Sequence, residues 1–280
     1  MTTTTTTTIP FVVAIPSYAR STLLVSHTLA YLCDKVPMSS VYVFIVDDDA
    51  EICSYKTSLA PFTGINIVCG PIGLHNMRNF ITDYFDEGTC VLQMDDDVQD
   101  VVQLKVDESI VDPNKGARYG LVTLHSTVPF FLWVNAAFNA LKTLNMSLFG
   151  VYPVRNGFFM KDLPERTTDL RFCVGVMWGC IIKKCIPRLT LEEKEDFERT
   201  ILHWSADGGV LRFNHVTVAT KYYTTQGGMQ ARGIDRKVAS EHACHDLCER
   251  FPDVCRLYLG KKNGMTEVRL INNNTHRTNT

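Results

Sequence analysis

The sequence has 280 residues, of which 45% are hydrophobic and 21% are charged, and its formal net charge is −2. A chain of this length and composition supports one large core, which excludes an intrinsically disordered protein. The slightly acidic balance also disfavours a large non-specific footprint on nucleic acid, because such binding normally needs a basic surface.

Both ends of the chain are polar. Seven threonines follow Met1, and the sequence is polar again from Ile271 onward. We expect residues 1–8 and 271–280 to be solvated tails around a folded region of residues 9–270. The start lacks the features of a signal peptide, and no apolar run approaches the roughly 20 residues that span a bilayer. These patterns predict a cytoplasmic protein, in the host cytoplasm if it is viral.

The first hundred residues alternate apolar runs with amphipathic segments. The apolar runs predict buried strands, and the segments between them predict helices. The elements expected from this pattern are strands over residues 11–15, 41–46, 65–69 and 90–94, and helices over residues 21–33 and 75–85. Strands that are apolar throughout and alternate with helices indicate an α/β fold, with a mostly parallel sheet covered on both faces.

The second half of the chain is less regular. Gly120–His125 and Val174–Ile182 predict strands, whereas the aromatic run Phe130–Trp133 is compatible with strand or loop. Thr190, followed by Glu193 three residues later, has the pattern of a capping box and predicts the start of a helix. Nothing in the sequence resembles a linker, so we predict a single domain.

The ten cysteines are expected to be reduced, because the chain is large and carries no export signal. The run Glu241–Cys248 contains cysteine and histidine, which are zinc ligands in other proteins. However, Cys244, Leu247, Cys248 and Phe251 follow the spacing of one helix face, and the paired spacing of zinc ligands is missing. We therefore favour core packing for these cysteines.

Three polar clusters come directly after predicted strands: Pro16–Arg20, Asp47–Glu51 and Asp95–Asp97. In open α/β sheets, ligands bind at the carboxyl ends of the strands, so we expect the clusters to converge at one edge. Adjacent carboxylates repel one another unless a cation neutralises them, and Mn²⁺ or Mg²⁺ prefers such oxygen ligands. Asp95–Asp97 therefore predicts a metal site, while for Asp47–Asp49 a solvated acidic turn is equally compatible.

Two further residues are candidates for chemistry. Arg78 falls near the start of a predicted helix, where an arginine and the helix N-terminus would together bind phosphate, although a surface arginine is as common. Asp207 precedes Gly208-Gly209, where the backbone can bend around an acceptor, and it is the candidate general base. Taken alone, Asp207 also fits a turn residue.

In combination, the motifs of the first hundred residues resemble those of GT-A glycosyltransferases, including the Asp-x-Asp signature of that fold. They occur in this order: Ile15–Arg20, Val43–Val46 with the acids that follow, Gly73, Arg78-Asn79, and Leu92–Asp97. The resemblance implies a Rossmann-like nucleotide-sugar half over residues 9–115. An acceptor and catalytic half would follow over residues 116–270.

The resemblance also implies a role for each matching residue. The nucleotide sugar, a UDP-sugar, would be bound by Pro16, Ser17, Tyr18, Arg20, Asp48, Asp49, Arg78, Asp95 and Asp96. Asp97 and Asp95 would hold Mn²⁺ or Mg²⁺ beside the diphosphate. Asp207 would be the base of an inverting transfer, although Ala206 stands where members of the family commonly have a glutamate.

The motif series and the threonine-rich start further resemble chlorovirus-encoded β-xylosyltransferases, which move xylose from UDP-xylose to a fucose of the capsid-protein N-glycan. The same series resembles glycosyltransferases of hydroxymethylated pyrimidines in DNA, which the acidic net charge disfavours. A non-catalytic nucleotide- or glycan-binding module is the third hypothesis. The aromatic residues considered as acceptor platforms are Trp133, Trp178, Trp204, Tyr222 and Tyr223.

Overall fold

The computed structural model describes residues 9–112, 116–220, 236–259 and 266–271. The expected tails, apart from Ile271, lie outside the described residues, as do Tyr222 and Tyr223. None of the described helices combines the length and the hydropathy that crossing a bilayer requires.

An eight-stranded sheet forms the centre of the molecule. Its strands are β1 (Val12–Pro16), β2 (Val41–Val46), β3 (Asn66–Gly70), β4 (Cys90–Met94), β7 (Leu148–Val151), β8 (Arg166–Thr167), β9 (Met177–Ile181) and β10 (Leu211–Phe213). They are arranged in the order β3-β2-β1-β4-β9-β7-β10-β8. The first four pair in parallel, whereas β9 runs antiparallel to both β4 and β7. The predicted α/β architecture is therefore confirmed.

Helices cover both faces of this sheet. Alternate residues of each strand point to opposite faces, so an apolar strand needs cover on both sides. They are α1 (Ser21–Leu24), α2 (Ala30–Leu32), α3 (Asp49–Leu59), α4 (Leu74–Tyr84), α5 (Phe130–Leu144), α6 (Gly157–Met160), α7 (Glu195–Asp207) and α8 (Arg236–Arg250). In β1, Val13 and Ile15 pack into the cluster that contains α5, while Ala14 packs into the cluster that contains Met77 and Ile81 of α4.

Three helices differ from the sequence-based expectation. The run Phe130–Trp133 starts α5, because Phe130, Val134 and Leu141 continue one buried stripe beyond the aromatic run. Thr190 does not cap a helix, since α7 begins only at Glu195. The helix α3, which follows Asp48, was not expected at all. The predicted helix over residues 21–33 is present, with a π-helical turn between α1 and α2.

Two smaller sheets complete the described fold. The strands β5 (Asp100–Asp112), β6 (Gly116–Thr123) and β11 (Val216–Ala219) form one sheet, and β12 (Cys255–Tyr258) pairs with β13 (Glu267–Leu270) in the other. Helix α8 packs between β13 and α7, with Cys244 and Leu247 fully buried in the same cluster as Cys255. This confirms the core-packing interpretation of these cysteines, and all ten cysteines carry free thiols.

Candidate functional site

A cleft of about 720 Å³ opens at the carboxyl ends of β1, β2 and β4. The N-terminal ends of α4 and α7 form its opposite wall. The residues of the predicted site that line it are Pro16, Ser17, Tyr18, Arg20, Arg78, Asp95, Asp96 and Asp97. The strand order explains the convergence, because β1 lies between β2 and β4 and all three end at the same edge of the sheet.

Asp95 and Asp97 face the cleft from the end of β4, and both are partly exposed. Burial raises the pKa of Asp95 to about 7; Arg78 opposes this shift, while the carboxylates of Asp97 and Asp96 add to it. The ionised form of Asp95 is therefore disfavoured in the protein by itself. A bound cation would lower the cost of keeping both carboxylates ionised.

A metal ion held by the described residues of the cleft would take part of its ligands from outside this set. Within the described ranges, no group of three or more histidine, cysteine, aspartate or glutamate side chains is arranged to hold one. Asp95 and Asp97 fit a hard divalent cation that takes its other oxygen ligands from water and from substrate phosphates, which is the usual way in which Mg²⁺ binds.

Asp96, in contrast, points into the protein. Its carboxylate accepts a hydrogen bond from Ser17 Oγ at 2.6 Å and pairs with Arg20 Nη1 at 3.3 Å. Ser17 Oγ also contacts the hydroxyl of Tyr55 at 2.6 Å. The carboxylate of Asp96 thus ties the loop after β1 to the loop after β4, while Asp96 also lines the cleft and its role in binding the nucleotide stays a prediction.

Arg78 is almost completely buried, with 1% of its side chain exposed. Its guanidinium donates to Asp95 Oδ1 and to Gln93 Oε1, both at 2.8 Å, and its Nε lies 3.9 Å from Glu195. Arg78 is the fifth residue of α4 rather than part of the first turn. The expectation of a surface or first-turn arginine is thus wrong, and Arg78 instead joins the two walls of the cleft.

The N-terminus of α4 is occupied by a protein side chain. Glu192 Oε1 accepts the backbone N–H of Leu74 at 3.0 Å, and Glu192 Oε2 contacts His75 Nδ1 at 2.5 Å. The Glu192 carboxylate therefore lies at the positive, N-terminal end of the helix dipole, where the sequence pattern predicted a phosphate.

Asp48 and Asp49 do not line the cleft. Asp48 is the N-cap of α3, where its Oδ1 accepts the backbone N–H groups of Ala50 at 3.0 Å and Glu51 at 3.1 Å. Asp49 is exposed in the first turn of the same helix. Their predicted contact with the nucleotide is corrected, because the acidic cluster after β2 serves to start a helix.

Asp207 lies at the end of α7 that is remote from the cleft. The helix has 13 residues, so about 18 Å separates its two ends. Asp207 Oδ1 pairs with Lys183 Nζ at 2.5 Å, and Oδ2 accepts the backbone N–H of Ser147 at 2.7 Å. Its side chain is 3% exposed. The prediction that Asp207 is the general base is therefore corrected: it anchors α7 to β7 and β9.

We expect Asp207→Asn to destabilise the fold by about 1–3 kcal/mol, because the half-buried Lys183 ammonium group loses its charged partner. Lys183 and Ser147, acting against burial, hold the pKa of Asp207 below its usual value. A carboxylate with a depressed pKa stabilises the fold throughout the range above the pKa of the unfolded chain. Urea unfolding should therefore show the same difference from the wild type at pH 5 and at pH 8, and a difference that vanished at pH 5 would contradict this assignment.

Two acidic residues that the sequence did not single out, Glu195 and Asp196 in the first turn of α7, also line the cleft. Lys194 has a left-handed backbone, with φ of 65°, and turns the chain so that both carboxylates reach the cleft. Asp196 Oδ2 accepts the backbone N–H of Gly175 at 3.3 Å. Burial, reinforced by Glu195, raises the pKa of Asp196 to about 6.

Glu195 also pairs with Arg199, which lies one turn further along α7. Arg199 Nη1 donates to Glu195 Oε2 at 2.7 Å, and the Arg199 guanidinium lies 3.9 Å from the ring centre of Trp178. The sequence does carry one signal for this pair: the resemblance to GT-A glycosyltransferases implied a glutamate before the base, and Asp196 follows Glu195 whereas Asp207 follows Ala206.

The tryptophans considered as acceptor platforms do not serve that role in the described structure. Trp178 is 3% exposed beneath Arg199. Trp133 and Trp204 are partly buried and pack against the two main core clusters. These three expectations are corrected, because the rings fill space between sheet and helices.

No protein-family model matches the sequence, and no curated protein matches it. Among solved structures, the chain is similar to glucosyl-3-phosphoglycerate synthase from Mycobacterium tuberculosis in complex with Mn²⁺ and UDP. The identity is 11% and the TM-score 0.42, over 94% of this chain and 87% of that chain. It is also similar to CMP:2-keto-3-deoxy-manno-octonic acid synthetase complexed with CTP, with 10% identity and a TM-score of 0.43 over 73% and 89% of the two chains. Likenesses of this strength carry no argument about function.

Proposed function

We propose that the protein is a metal-dependent glycosyltransferase of the GT-A type that uses a nucleotide-sugar donor. The observation that carries this proposal is the division of carboxylates between the two walls of one cleft. Asp95 and Asp97 stand at the end of β4, and Asp196 stands at the start of α7. Arg78 contacts both Asp95 and Glu195, so the two groups of carboxylates lie close together.

The first wall supports binding of a nucleoside diphosphate. Pro16 and Tyr18 line the cleft where β1 ends and offer apolar surface to a nucleobase. Asp97 and Asp95 would hold Mn²⁺ or Mg²⁺ through their free oxygen atoms. When bound, the cation would neutralise the charge that develops on the departing diphosphate.

The second wall supports deprotonation of an acceptor hydroxyl. A carboxylate with a pKa near 6 is ionised at neutral pH and is a better base than an ordinary aspartate. We therefore assign Asp196 as the general base in place of Asp207. Arg199 and Glu195 keep the first turn of α7 fixed, so that the Asp196 carboxylate stays at the cleft.

The acceptor is proposed to be a neutral glycan rather than DNA. On the side of α7, the described residues of the cleft include five acidic ones and a single lysine, Lys194: Glu192, Glu193, Glu195, Asp196 and Glu267. Lys194 itself pairs with Glu267, so the described residues of this wall carry no excess of basic charge, which a DNA-binding surface needs. This observation favours the glycan hypothesis over the DNA-base hypothesis.

The finer identity rests on the sequence resemblance alone. On that ground we propose UDP-xylose as the donor and a fucose of a viral capsid-protein N-glycan as the acceptor. The test is a panel of UDP-sugars with Mn²⁺, offered with fucose-containing oligosaccharides and, separately, with hydroxymethylated DNA. Transfer to the oligosaccharide alone supports the proposal. Transfer to DNA alone, or no turnover of any donor, would overturn it.

Asp97→Asn is expected to raise the Mn²⁺ concentration needed for half-maximal turnover by at least about tenfold, because a charged ligand becomes a neutral amide. Initial rates measured against Mn²⁺ concentration at a saturating UDP-sugar level would show the shift. Asp49→Asn is the matched control, since Asp49 is an exposed acid that does not line the cleft. Equal metal requirements in both variants would refute the assignment of Asp97.

A further inference from the structure

A second cavity, of about 160 Å³, lies between β9, α4 and α7, and residues of the segment 182–189 after β9 form its remaining wall. We call it the α4–α7 cavity. Its volume is several times what one water molecule needs. Arg78 lines both this cavity and the cleft, but none of the roles proposed for the cleft uses the α4–α7 cavity.

The described residues that line the α4–α7 cavity carry an excess of positive charge. One of them is acidic, Asp83, and five are basic: Arg78, Lys183, Lys184, Arg188 and Arg199. Asp83 pairs with Arg188 at 2.5 Å. The carboxylates that pair with Arg78, Lys183 and Arg199 do not line this cavity; they are Asp95, Asp207 and Glu195. The lining of the cavity therefore favours a negatively charged occupant.

Two buried N–H groups of the lining residues have no hydrogen-bond acceptor in the part of the chain that the structure describes. They are Nε1 of Trp178, which is 3% exposed, and Nε of Arg199, which is 2% exposed. Arg199 Nη1 donates to Glu195 at 2.7 Å and Nη2 donates to the carbonyl of Cys173 at 2.9 Å, so Nε is the donor that remains. The two residues are stacked, with the Arg199 guanidinium 3.9 Å from the ring centre of Trp178. Because an unpaired buried donor is costly, the pair indicates an acceptor from outside the chain.

His203 also responds to the positive charge around the α4–α7 cavity. It lines this cavity, and its Nδ1 contacts Ser147 Oγ at 2.8 Å. Burial, together with the charges of Arg199 and Lys183, lowers the pKa of His203 to about 3, although Asp207 opposes this shift. The imidazole is therefore neutral at physiological pH, and the surroundings disfavour a further positive charge.

We propose that the α4–α7 cavity binds a small oxyanion, of the size of phosphate, sulfate or acetate. The oxygen atoms of such an anion accept hydrogen bonds from Trp178 Nε1 and Arg199 Nε, and the neighbouring cations compensate its charge. An amine would meet the excess of positive charge and two groups that only donate. A nucleotide sugar is too large, since the cleft proposed for it has about 720 Å³. This inference is independent of the proposed function.

The test is isothermal titration calorimetry of the full chain with inorganic phosphate, sulfate and acetate, each titrated separately at constant ionic strength. We expect the wild type to bind at least one of the three anions. Trp178→Phe is expected to weaken that binding about tenfold, because it removes a hydrogen bond to a charged ligand. Trp204→Phe is the matched control and should stay within twofold, since Trp204 packs against the same core cluster but does not line the cavity. The anion with the highest affinity identifies the chemistry of the ligand.

A crystal structure of the wild type soaked in the best-binding anion locates the site even if Trp178→Phe does not fold. We expect electron density for the anion within hydrogen-bond distance of Trp178 Nε1. Three results would overturn the proposal: no binding of any of the three anions, equal affinities of Trp178→Phe and the wild type, or an anion found only outside the α4–α7 cavity, for example in the cleft.

Discussion

Asp196→Asn is expected to lower kcat by about 10²–10⁴-fold while UDP affinity stays within twofold, because the amide is isosteric but cannot accept a proton. The Asp196 carboxylate lines the cleft, where it accepts the backbone N–H groups of Gly175 and Phe197. Steady-state transfer kinetics with the preferred UDP-sugar would measure the loss. The melting temperature of the variant would confirm that it is folded.

Asp207→Asn is the decisive companion variant. It removes the same chemical group from the far end of the same helix, so kcat should stay within a few-fold of the wild type while stability falls. The reverse pattern, with an active Asp196→Asn and an inactive but folded Asp207→Asn, would restore the original sequence-based assignment.

The pH profile gives a second readout of the same residue. The pKa of Asp196 is raised to about 6, and a general base acts only in its deprotonated form. At saturating Mn²⁺, which would keep Asp95 ionised, the kcat/KM of the wild type is therefore expected to fall about tenfold per pH unit below pH 6 and to be flat above it. In Asp196→Asn this acidic limb should disappear from the residual activity.

Arg78→Met is expected to cost about 2–3 kcal/mol of unfolding free energy, because the hydrogen bonds of the buried guanidinium to Asp95 and Gln93 are lost. Arg78 contacts Asp95 at 2.8 Å and approaches Glu195 at 3.9 Å while itself being 1% exposed. Its removal would also raise the pKa of Asp95 further, since Arg78 is what opposes that rise. Binding of Mn²⁺ with UDP near neutral pH should weaken in parallel.

Urea unfolding measures the stability loss, with Arg20→Met as the control. Arg20 also pairs with an acid of the cluster, but at 3.3 Å and with 15% of its side chain exposed, so the loss should be clearly smaller. Equal losses in the two variants, or an Arg78→Met protein as stable as the wild type, would show that Arg78 does not join the two walls of the cleft.

The strands of the first half were predictable because each is a short apolar run that ends at a polar cluster. This local pattern also placed Asp95–Asp97 at the sheet edge. The roles within the cluster were not predictable, because they depend on partners that are distant in sequence. Ser17 and Arg20 draw the Asp96 carboxylate inward, whereas Asp95 and Asp97 stay partly exposed at the cleft.

The prediction of the general base in the second half of the chain was wrong for the same physical reason. Asp207 has the local sequence of a flexible acidic turn, and its partners Ser147 and Lys183 are visible only in the folded chain. Glu195 and Asp196 belong to a charged run that is typical of the solvated start of a helix. Their burial comes from packing against Gly175 and Arg199, which no local spacing reveals.

A crystal structure of the protein soaked with UDP and Mn²⁺ tests the central claim most directly. We expect the anomalous signal of manganese within coordination distance of the Asp97 carboxylate, the diphosphate beside it, and the uracil against Pro16 and Tyr18. Nucleotide and metal bound elsewhere, or a cleft without either at saturating concentrations, would contradict the assignment of this cleft as a nucleotide-sugar site.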